Sequence, residues 1–189
     1  MALLFIEPMP RVLESYLLGV QDMTGVKPPE DGAIHVPVFT RSLEAVAQGR
    51  GVEADEMAGC RFYASYPPPL GTLASEMTNP SVYGKAKFRS LLDGELAEWG
   101  WARIPQMAAL PEVQAQDYWL KLLSIPSLFV EAFYLWRKDD SPGRLVVPID
   151  LLTDAPPPVA TQPVEAYLAG LRPFANERLA ATAGPLMPD

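Results

Sequence analysis

The sequence predicts an α+β protein, a single domain over residues 1–189 built on a mainly antiparallel sheet with several short helices. Its 21 prolines, about twice the average usage, interrupt the chain too often for long helices. Strand-like and helix-like segments do not alternate as regularly as a parallel βαβ sheet requires. Two apolar segments near 128–149 flank the turn motif DDSPG, which predicts an antiparallel hairpin.

Length and composition are those of an ordinary globular chain. At 189 residues, folding buries roughly 70% of the surface that the unfolded chain exposes, enough for a core without disulfides. Hydrophobic residues make up 49% and charged residues 20%, and the mean hydropathy is +0.05. These values exclude a disordered chain and a membrane-spanning one, because no apolar run reaches the ~20 residues that a span needs.

In the N-terminal third, four elements are predicted: a helix over 10–19, a strand over 35–40, a helix over 42–48 and a strand over 61–66. Pro10 suits the first turn of a helix, and Ser42 is a typical helix cap. Pro37 lies inside the β-branched segment HVPVFT, and proline cannot donate to a ladder. The strand over 35–40 is therefore predicted at a sheet edge.

The rest of the chain is predicted from periodicity and turn chemistry. Apolar residues Tyr118, Leu122 and Ile125 repeat at helical spacing after Pro111, which predicts a helix over 111–124. The other predicted elements are a strand over 82–88, a helix over 90–99, hairpin strands over 127–138 and 144–150 buried on both faces, a proline-rich connector over 151–163, helices over 164–171 and 174–182, and a loose tail over 184–189.

Charge and targeting signals limit the partners. The formal net charge of -8 repels nucleic acid and anionic membrane surfaces, so neither is expected as a partner. The N-terminal segment MALLFIEP lacks the basic flank of a signal peptide. The single Cys60 cannot form an internal disulfide, which fits a reducing compartment. The expected location is the cytoplasm.

The catalytic inventory is small. Any Ser-His-Asp triad has to use His35, the only histidine, and no G-x-S-x-G motif is present. A His35 and Cys60 dyad is chemically possible, although a structural histidine and a buried cysteine are the commoner interpretations. Structural zinc needs four ligands drawn mainly from cysteine and histidine, so no metal site is predicted. The chain also lacks phosphate-binding loop motifs, and no cofactor is predicted.

Two carboxylates and four aromatic residues are the remaining candidates. Glu131 lies inside the apolar run LFVEAFYLW, where burial would raise its pKa and make it a useful acid or base. Asp150 follows the strand LVVPI, near a strand end where ligand crevices occur in α/β sheets, although a turn-capping role is the alternative. Candidate ligand-binding aromatics are Tyr118, Trp119, Tyr134 and Trp136, for which core packing is the alternative.

Three functions are compatible with this inventory. The first is a non-enzymatic interaction or assembly protein that binds a protein partner or forms a homo-oligomer, suggested by the poor catalytic inventory and the surplus of aromatics. The second is a module for a small apolar or aromatic ligand, held between the predicted helix 111–124 and the hairpin. The third is a carboxylate-based hydrolase or isomerase using Glu131 or Asp150, so enzymatic activity stays open.

Overall fold

The computed structural model describes residues 3–29, 32–79, 86–139, 143–149 and 158–182. Within these ranges the chain forms one mixed sheet of nine strands and five α-helices, so the predicted α+β class is confirmed. The strands are β1 Leu3–Leu4, β2 Ile34–Thr40, β3 Glu56–Ser65, β4 Thr72–Thr78, β5 Phe88–Leu92, β6 Tyr118–Ile125, β7 Val130–Arg137, β8 Leu145–Ile149 and β9 Gln162–Pro163. The helices are α1 Pro10–Thr24, α2 Leu43–Ala47, α3 Glu95–Ala108, α4 Pro111–Gln114 and α5 Val164–Thr182.

The sheet consists of two antiparallel halves joined by one parallel pairing. The strand order is β5-β4-β3-β2-β6-β7-β8-β9, and β2 pairs with β6 in parallel through Val38 to Thr40. The short β1 pairs in parallel with the beginning of β6. The predicted hairpin is formed by β7 and β8, where Phe133 is in register with Val147. Four consecutive β7 residues, Ala132–Leu135, are buried, as expected for a strand covered on both faces.

Each face of the sheet has its own core. The inner face carries Val36, Leu120, Leu122 and Phe133, which pack with residues of α3 such as Ile104 and Met107. On the outer face, α1 covers β3 and β4, and α5 covers β6 to β8. The rings of Tyr63 on β3 and Phe133 on β7 lie 6.3 Å apart although β2 and β6 separate these strands in the sheet order. The sheet therefore curves around its inner face.

The predicted edge position of the strand containing Pro37 is wrong. Strand β2 lies between β3 and β6, inside the sheet. Pro37 is in register with Cys60 of β3, and the parallel pairing with β6 begins one residue later, at Val38. The proline thus precedes the parallel ladder rather than interrupting it, which is how an interior strand accommodates it.

The predicted helix over 111–124 is also wrong. Only Pro111–Gln114 is helical, and Tyr118–Ile125 is strand β6. The buried residues Tyr118, Leu120 and Leu122 fit an alternating pattern as well as a helical one. Pairing with β7 and with both parallel strands stabilises the extended form, which local periodicity does not reveal.

Other predicted elements differ from the structure in their type or in the residues at which they begin and end. The predicted helix over 90–99 is strand β5 followed by α3, and the two predicted C-terminal helices are the single helix α5, which continues through Pro173. Residues 162–163 of the predicted connector form β9. Residues 150–157 and 183–189, which include Asp150 and the predicted tail, lie outside the described residues.

Candidate functional site

The inner face opens at one end into a cavity of about 470 Å³, here called the inner cleft. It lies where β2, β3, β4, β6 and the start of β7 approach one another. Its lining combines apolar with charged side chains and includes Val38, Gly59, Met77, Pro126, Phe129, Glu76, Arg89 and Glu131. The predicted acid or base candidate Glu131 therefore lies in a cavity, together with charged residues of other strands.

Glu131 belongs to a hydrogen-bond network centred on Arg61, whose Nε is buried without a partner among the described residues. The Arg61 guanidinium donates to both carboxylate oxygens of Glu131, at 2.9 and 2.8 Å, and to Oε1 of Glu76 at 2.6 Å. It also donates to the hydroxyl of Tyr63 at 3.2 Å, while Ser90 Oγ donates to Oε2 of Glu76 at 2.9 Å. Every oxygen of the two carboxylates therefore accepts a hydrogen bond.

This network favours a structural role for its carboxylates over proton transfer. Burial by itself raises the pKa of Glu76, but the Arg61 charge and the hydrogen bonds from Arg61 and Ser90 hold that pKa below its ordinary value. Arg61 also holds the Glu131 carboxylate by two parallel hydrogen bonds. The network links β3, β4 and β7 across the inner face, so it fixes the curvature of the sheet.

Sequence reasoning found Glu131 but missed Arg61 and Glu76. A signal was present, because both residues lie inside strand-like segments, RFYAS and TLASEMT. A charged residue in the middle of a buried strand usually needs an opposite charge. What no local pattern provided was the curvature that brings β3 to β7.

His35 and Cys60 line a second cavity on the outer face, here called the outer cleft, of about 390 Å³. They lie on the paired strands β2 and β3, where His35 is in register with Phe62 and Pro37 with Cys60. The outer cleft is largely apolar, and its lining includes Ile6, Met9, Val12, Pro37, Phe39 and Met57. His35 and Cys60 thus share the outer cleft. Cys60 also lines the inner cleft together with Glu131, whereas His35 is not part of that lining.

The protonation of His35 and Cys60 is poorly suited to a reactive dyad. Burial raises the pKa of the Cys60 thiol to about 12, which keeps it protonated at neutral pH. Burial lowers the pKa of His35, against a hydrogen bond to the Ile6 carbonyl that raises it. The His35 Nδ1 lies 2.6 Å from that carbonyl oxygen, so in the neutral ring Nδ1 carries the proton. This arrangement is typical of a structural histidine.

The four candidate aromatics lie on both faces. Tyr118 packs in the inner core, whereas Tyr134 and Trp136 contact each other on the outer face with ring centroids 5.6 Å apart. Trp119 is in register with Trp136. The Trp136 ring lies between two cations, with Lys121 Nζ at 4.1 Å and Arg144 Cζ at 3.9 Å from its centroid. The four aromatics therefore do not line one common pocket.

An exposed aromatic turn joins β6 to β7. Phe129 follows the short 3₁₀ turn Pro126–Leu128, with its side chain 61% exposed and its backbone in the left-handed region at φ 55°. It lines the inner cleft on one side. On the other side it lines a groove of about 440 Å³ against α5, which includes Leu171 and Phe174. Phe174 is 60% exposed.

Among the described residues, no group of three or more histidines, cysteines, aspartates or glutamates is arranged to hold a metal ion. None of the described helices is both long and apolar enough to cross a bilayer.

Comparison with known proteins finds no match for this chain among family models, curated proteins or solved structures. Its function is therefore inferred from its own side chains and cavities.

Proposed function

We propose that this chain is a non-enzymatic interaction protein that binds a partner protein through the surface around Phe129. This turn surface consists of residues 127–130 with Leu171 and Phe174 of α5. The single observation that carries the proposal is Phe129 itself, a large apolar side chain that is held out to solvent on a left-handed backbone.

The backbone conformation of Phe129 is costly. A non-glycine residue in the left-handed region loses roughly 1–2 kcal/mol relative to the right-handed one, and glycine or asparagine avoids most of this cost. An exposed leucine or phenylalanine by itself is ordinary on protein surfaces. An exposed aromatic at a strained position is different, because backbone strain concentrates at functional sites.

The surroundings of Phe129 fit an interface. Cavities lie on both sides of its side chain, and a second exposed aromatic, Phe174, lines the groove on the α5 side. Apolar patches combined with charged residues are typical of protein-binding sites, and here Glu177 and Arg178 also line the groove. Aromatic anchors commonly dominate the binding energy of such sites.

Site-specific photocrosslinking tests the proposal. The photoreactive amino acid p-benzoylphenylalanine is placed at position 129, and at Met23 as a control, because Met23 is 65% exposed at the end of α1. In cells of the source organism, we expect a discrete crosslinked protein from position 129 and none from position 23. Identical crosslinking patterns from both positions would contradict the proposal.

A substitution separates binding from folding. Phe129→Asn removes the apolar side chain but tolerates the left-handed backbone, so its melting temperature should stay the same or rise. We expect it to lose the crosslinked partner when the photoreactive group is moved to Ser127. Retention of the partner by Phe129→Asn would show that the aromatic ring is not the anchor.

Self-association is the other form that such an interface takes. Size-exclusion chromatography with light scattering of wild type and Phe129→Asn distinguishes the two cases. A wild-type dimer that becomes a monomer in the variant identifies a second copy as the partner. A wild-type monomer together with a crosslinked foreign protein identifies a heterologous partner.

A second candidate function is the binding of a small apolar ligand in the outer cleft. Its volume of about 390 Å³ falls in the range of small-molecule pockets, and its walls are mostly apolar. Native mass spectrometry of protein purified from its own source tests this. A bound compound that is lost in Pro37→Trp, a substitution that fills the cleft, would favour ligand binding, and an empty wild-type protein would count against it.

The proposed location is the cytoplasm and the proposed partners exclude nucleic acid. The buried thiol of Cys60 supports a reducing compartment, and the net charge of -8 disfavours binding to phosphate backbones.

Catalysis by Glu131 gains no support from the geometry, because both of its oxygens accept hydrogen bonds from Arg61.

A further inference from the structure

A third cavity, of about 270 Å³, lies between α5 and the segment that follows α2. Four arginines line it, Arg41, Arg50, Arg144 and Arg172, which are far apart in the sequence. The chain has ten arginines in all, so a large share of them meets at this arginine pocket. The acidic residues in the lining are Glu53 and Glu165.

Arg41 forms the rigid base of the arginine pocket. Its side chain is fully buried, its Nε donates to Asp55 Oδ1 at 2.5 Å, and its two terminal nitrogens donate to the carbonyls of Arg50 and Gly51 at 2.9 and 2.7 Å. Glu53 is turned to the backbone, because its Oε1 accepts from the Gly51 N–H. Asp55 neutralises Arg41, so the free positive charge comes from the other three arginines.

Arg144 is held in place by an aromatic ring but keeps hydrogen-bonding capacity. Its guanidinium lies 3.9 Å from the centroid of the Trp136 ring. Its Nε is buried and has no hydrogen-bond partner among the described residues. Asp55 Oδ2 and the Tyr134 hydroxyl are also buried without a hydrogen-bond partner in the described part of the chain. The charges of Asp55 and Arg144 act on the pKa of Tyr134 in opposite directions, so these groups lie within electrostatic range. Of these atoms, the Arg144 N–H and the Tyr134 hydroxyl can donate to an anion, whereas Asp55 Oδ2 is an acceptor.

Arg172 completes the arginine pocket from the side of α5. Its guanidinium lies so close to Gly49 that a Cβ at position 49 would collide with it. Gly49 also has a left-handed backbone, φ 64°, so glycine suits this position for two reasons. No described residue forms an ion pair with Arg172, which leaves its charge available to a ligand.

We propose that the arginine pocket binds the phosphate group of a small phosphorylated molecule. The lining carries four positive and two negative charges, and Asp55 neutralises Arg41, so one positive charge remains in excess in a protein whose net charge is -8. A guanidinium presents several donors in a planar fork that matches phosphate oxygens, and guanidinium groups converging from different elements suit a tetrahedral dianion better than a planar carboxylate. The arginine pocket shares no lining residue with the inner cleft.

Isothermal titration calorimetry tests the proposal with inorganic phosphate, phenyl phosphate and succinate as probes, at constant ionic strength and pH 7.5. We expect saturable binding of phosphate or phenyl phosphate and none of succinate. Arg172→Met should weaken that binding at least tenfold and Arg172→Lys by less. The matched control is Arg178→Met, on the same helix but outside the arginine pocket, which should bind like wild type.

Thermal melts establish that each variant is folded, and Arg172 is exposed enough for its replacement to be tolerated. Tighter binding of phenyl phosphate than of inorganic phosphate would identify a phosphate monoester as the ligand, and the reverse would identify the free anion. Absence of saturable binding to both phosphates, equal binding of succinate, or unchanged affinity in Arg172→Met would each overturn the proposal.

Discussion

Replacing Arg61 by methionine should destabilise the protein strongly at neutral pH and much less at mildly acidic pH. Arg61 has a side chain that is only 6% exposed, and its partners Glu131 and Glu76 are 16% and 24% exposed. Methionine keeps much of the volume of the side chain but removes its charge and all of its donors. Two buried carboxylates then lie near each other without a cation between them.

The magnitude follows from the burial of this cluster. Removing one partner of a buried ion pair costs about 3–5 kcal/mol, because the remaining charge stays buried without compensation. All three side chains are well below one third exposed, so screening by solvent reduces this figure little. For a chain of this length, a loss of this size lowers the melting temperature by roughly 6–20 °C.

The pH dependence has opposite signs in wild type and variant. In wild type the pKa of Glu76 is lowered, so its contribution to stability is complete above the unfolded value of about 4.3 and is lost as the pH falls through the folded value. Without Arg61, burial, the largest single influence on the pKa of Glu76, is opposed only by the Ser90 hydrogen bond and the Arg89 charge, so we expect that pKa to rise above the value of the unfolded chain. The variant should therefore gain stability as the pH falls from 7 towards about 5, because the carboxyl group becomes neutral.

Urea unfolding followed by tryptophan fluorescence at pH 7 and pH 5 measures both effects. Arg137→Met is the matched control, since Arg137 pairs with Asp139 at the surface, where Asp139 is 60% exposed, and should change stability by less than about 1 kcal/mol. Glu131→Gln serves if Arg61→Met does not fold, and it should be destabilised less. A loss below about 1 kcal/mol for Arg61→Met, or an equal loss at both pH values, would refute this explanation of the cluster.

Three further predictions concern single positions. His35→Gln should reduce the loss of stability between pH 7.5 and 5.5 in urea titrations, because burial lowers the pKa of His35 and its contribution is lost as the pH falls below about 6.5. Cys60, with a pKa of about 12, should not react with a thiol reagent at pH 8 until the protein is unfolded, and fast labelling of the native protein would contradict its burial. Gly100→Ala should lower the melting temperature, because its Cβ would lie 2.5 Å from the buried Tyr63 ring, whereas Gly170→Ala, with no described atom within 4 Å, should raise stability by about 0.5–1 kcal/mol.

The sequence predicted the elements whose signals are local. Pro10 begins α1, and Ser42 caps α2 by accepting a hydrogen bond from the Ala45 N–H at 3.1 Å. The segments flanking DDSPG form the β7 and β8 hairpin with consecutive buried residues, as their uniform apolarity indicates. Such features depend on residues a few positions apart, so their physical cause is contained in a short stretch of sequence.

The same reasoning failed where distant strands compete with local preference. Tyr118–Ile125 has apolar spacing that suits a helix, yet it is strand β6 because β1, β2 and β7 all pair with it. Pro37 suggests an edge strand, yet β2 is interior because the parallel pairing starts after the proline. The energy of these pairings depends on segments that are far apart along the chain, so periodicity within one segment cannot reveal it.

By itself the sequence determined the α+β class, the hairpin, and the scarcity of histidine and cysteine that limits catalytic designs. Only the tertiary structure decided which charged residues meet. The sheet curvature brings Arg61 to Glu131 across two intervening strands, and the packing of α5 brings Arg172 to the other arginines of its pocket. Charges interact over a few ångströms in space, whatever their separation along the chain, so their pairing becomes defined only when the fold is complete.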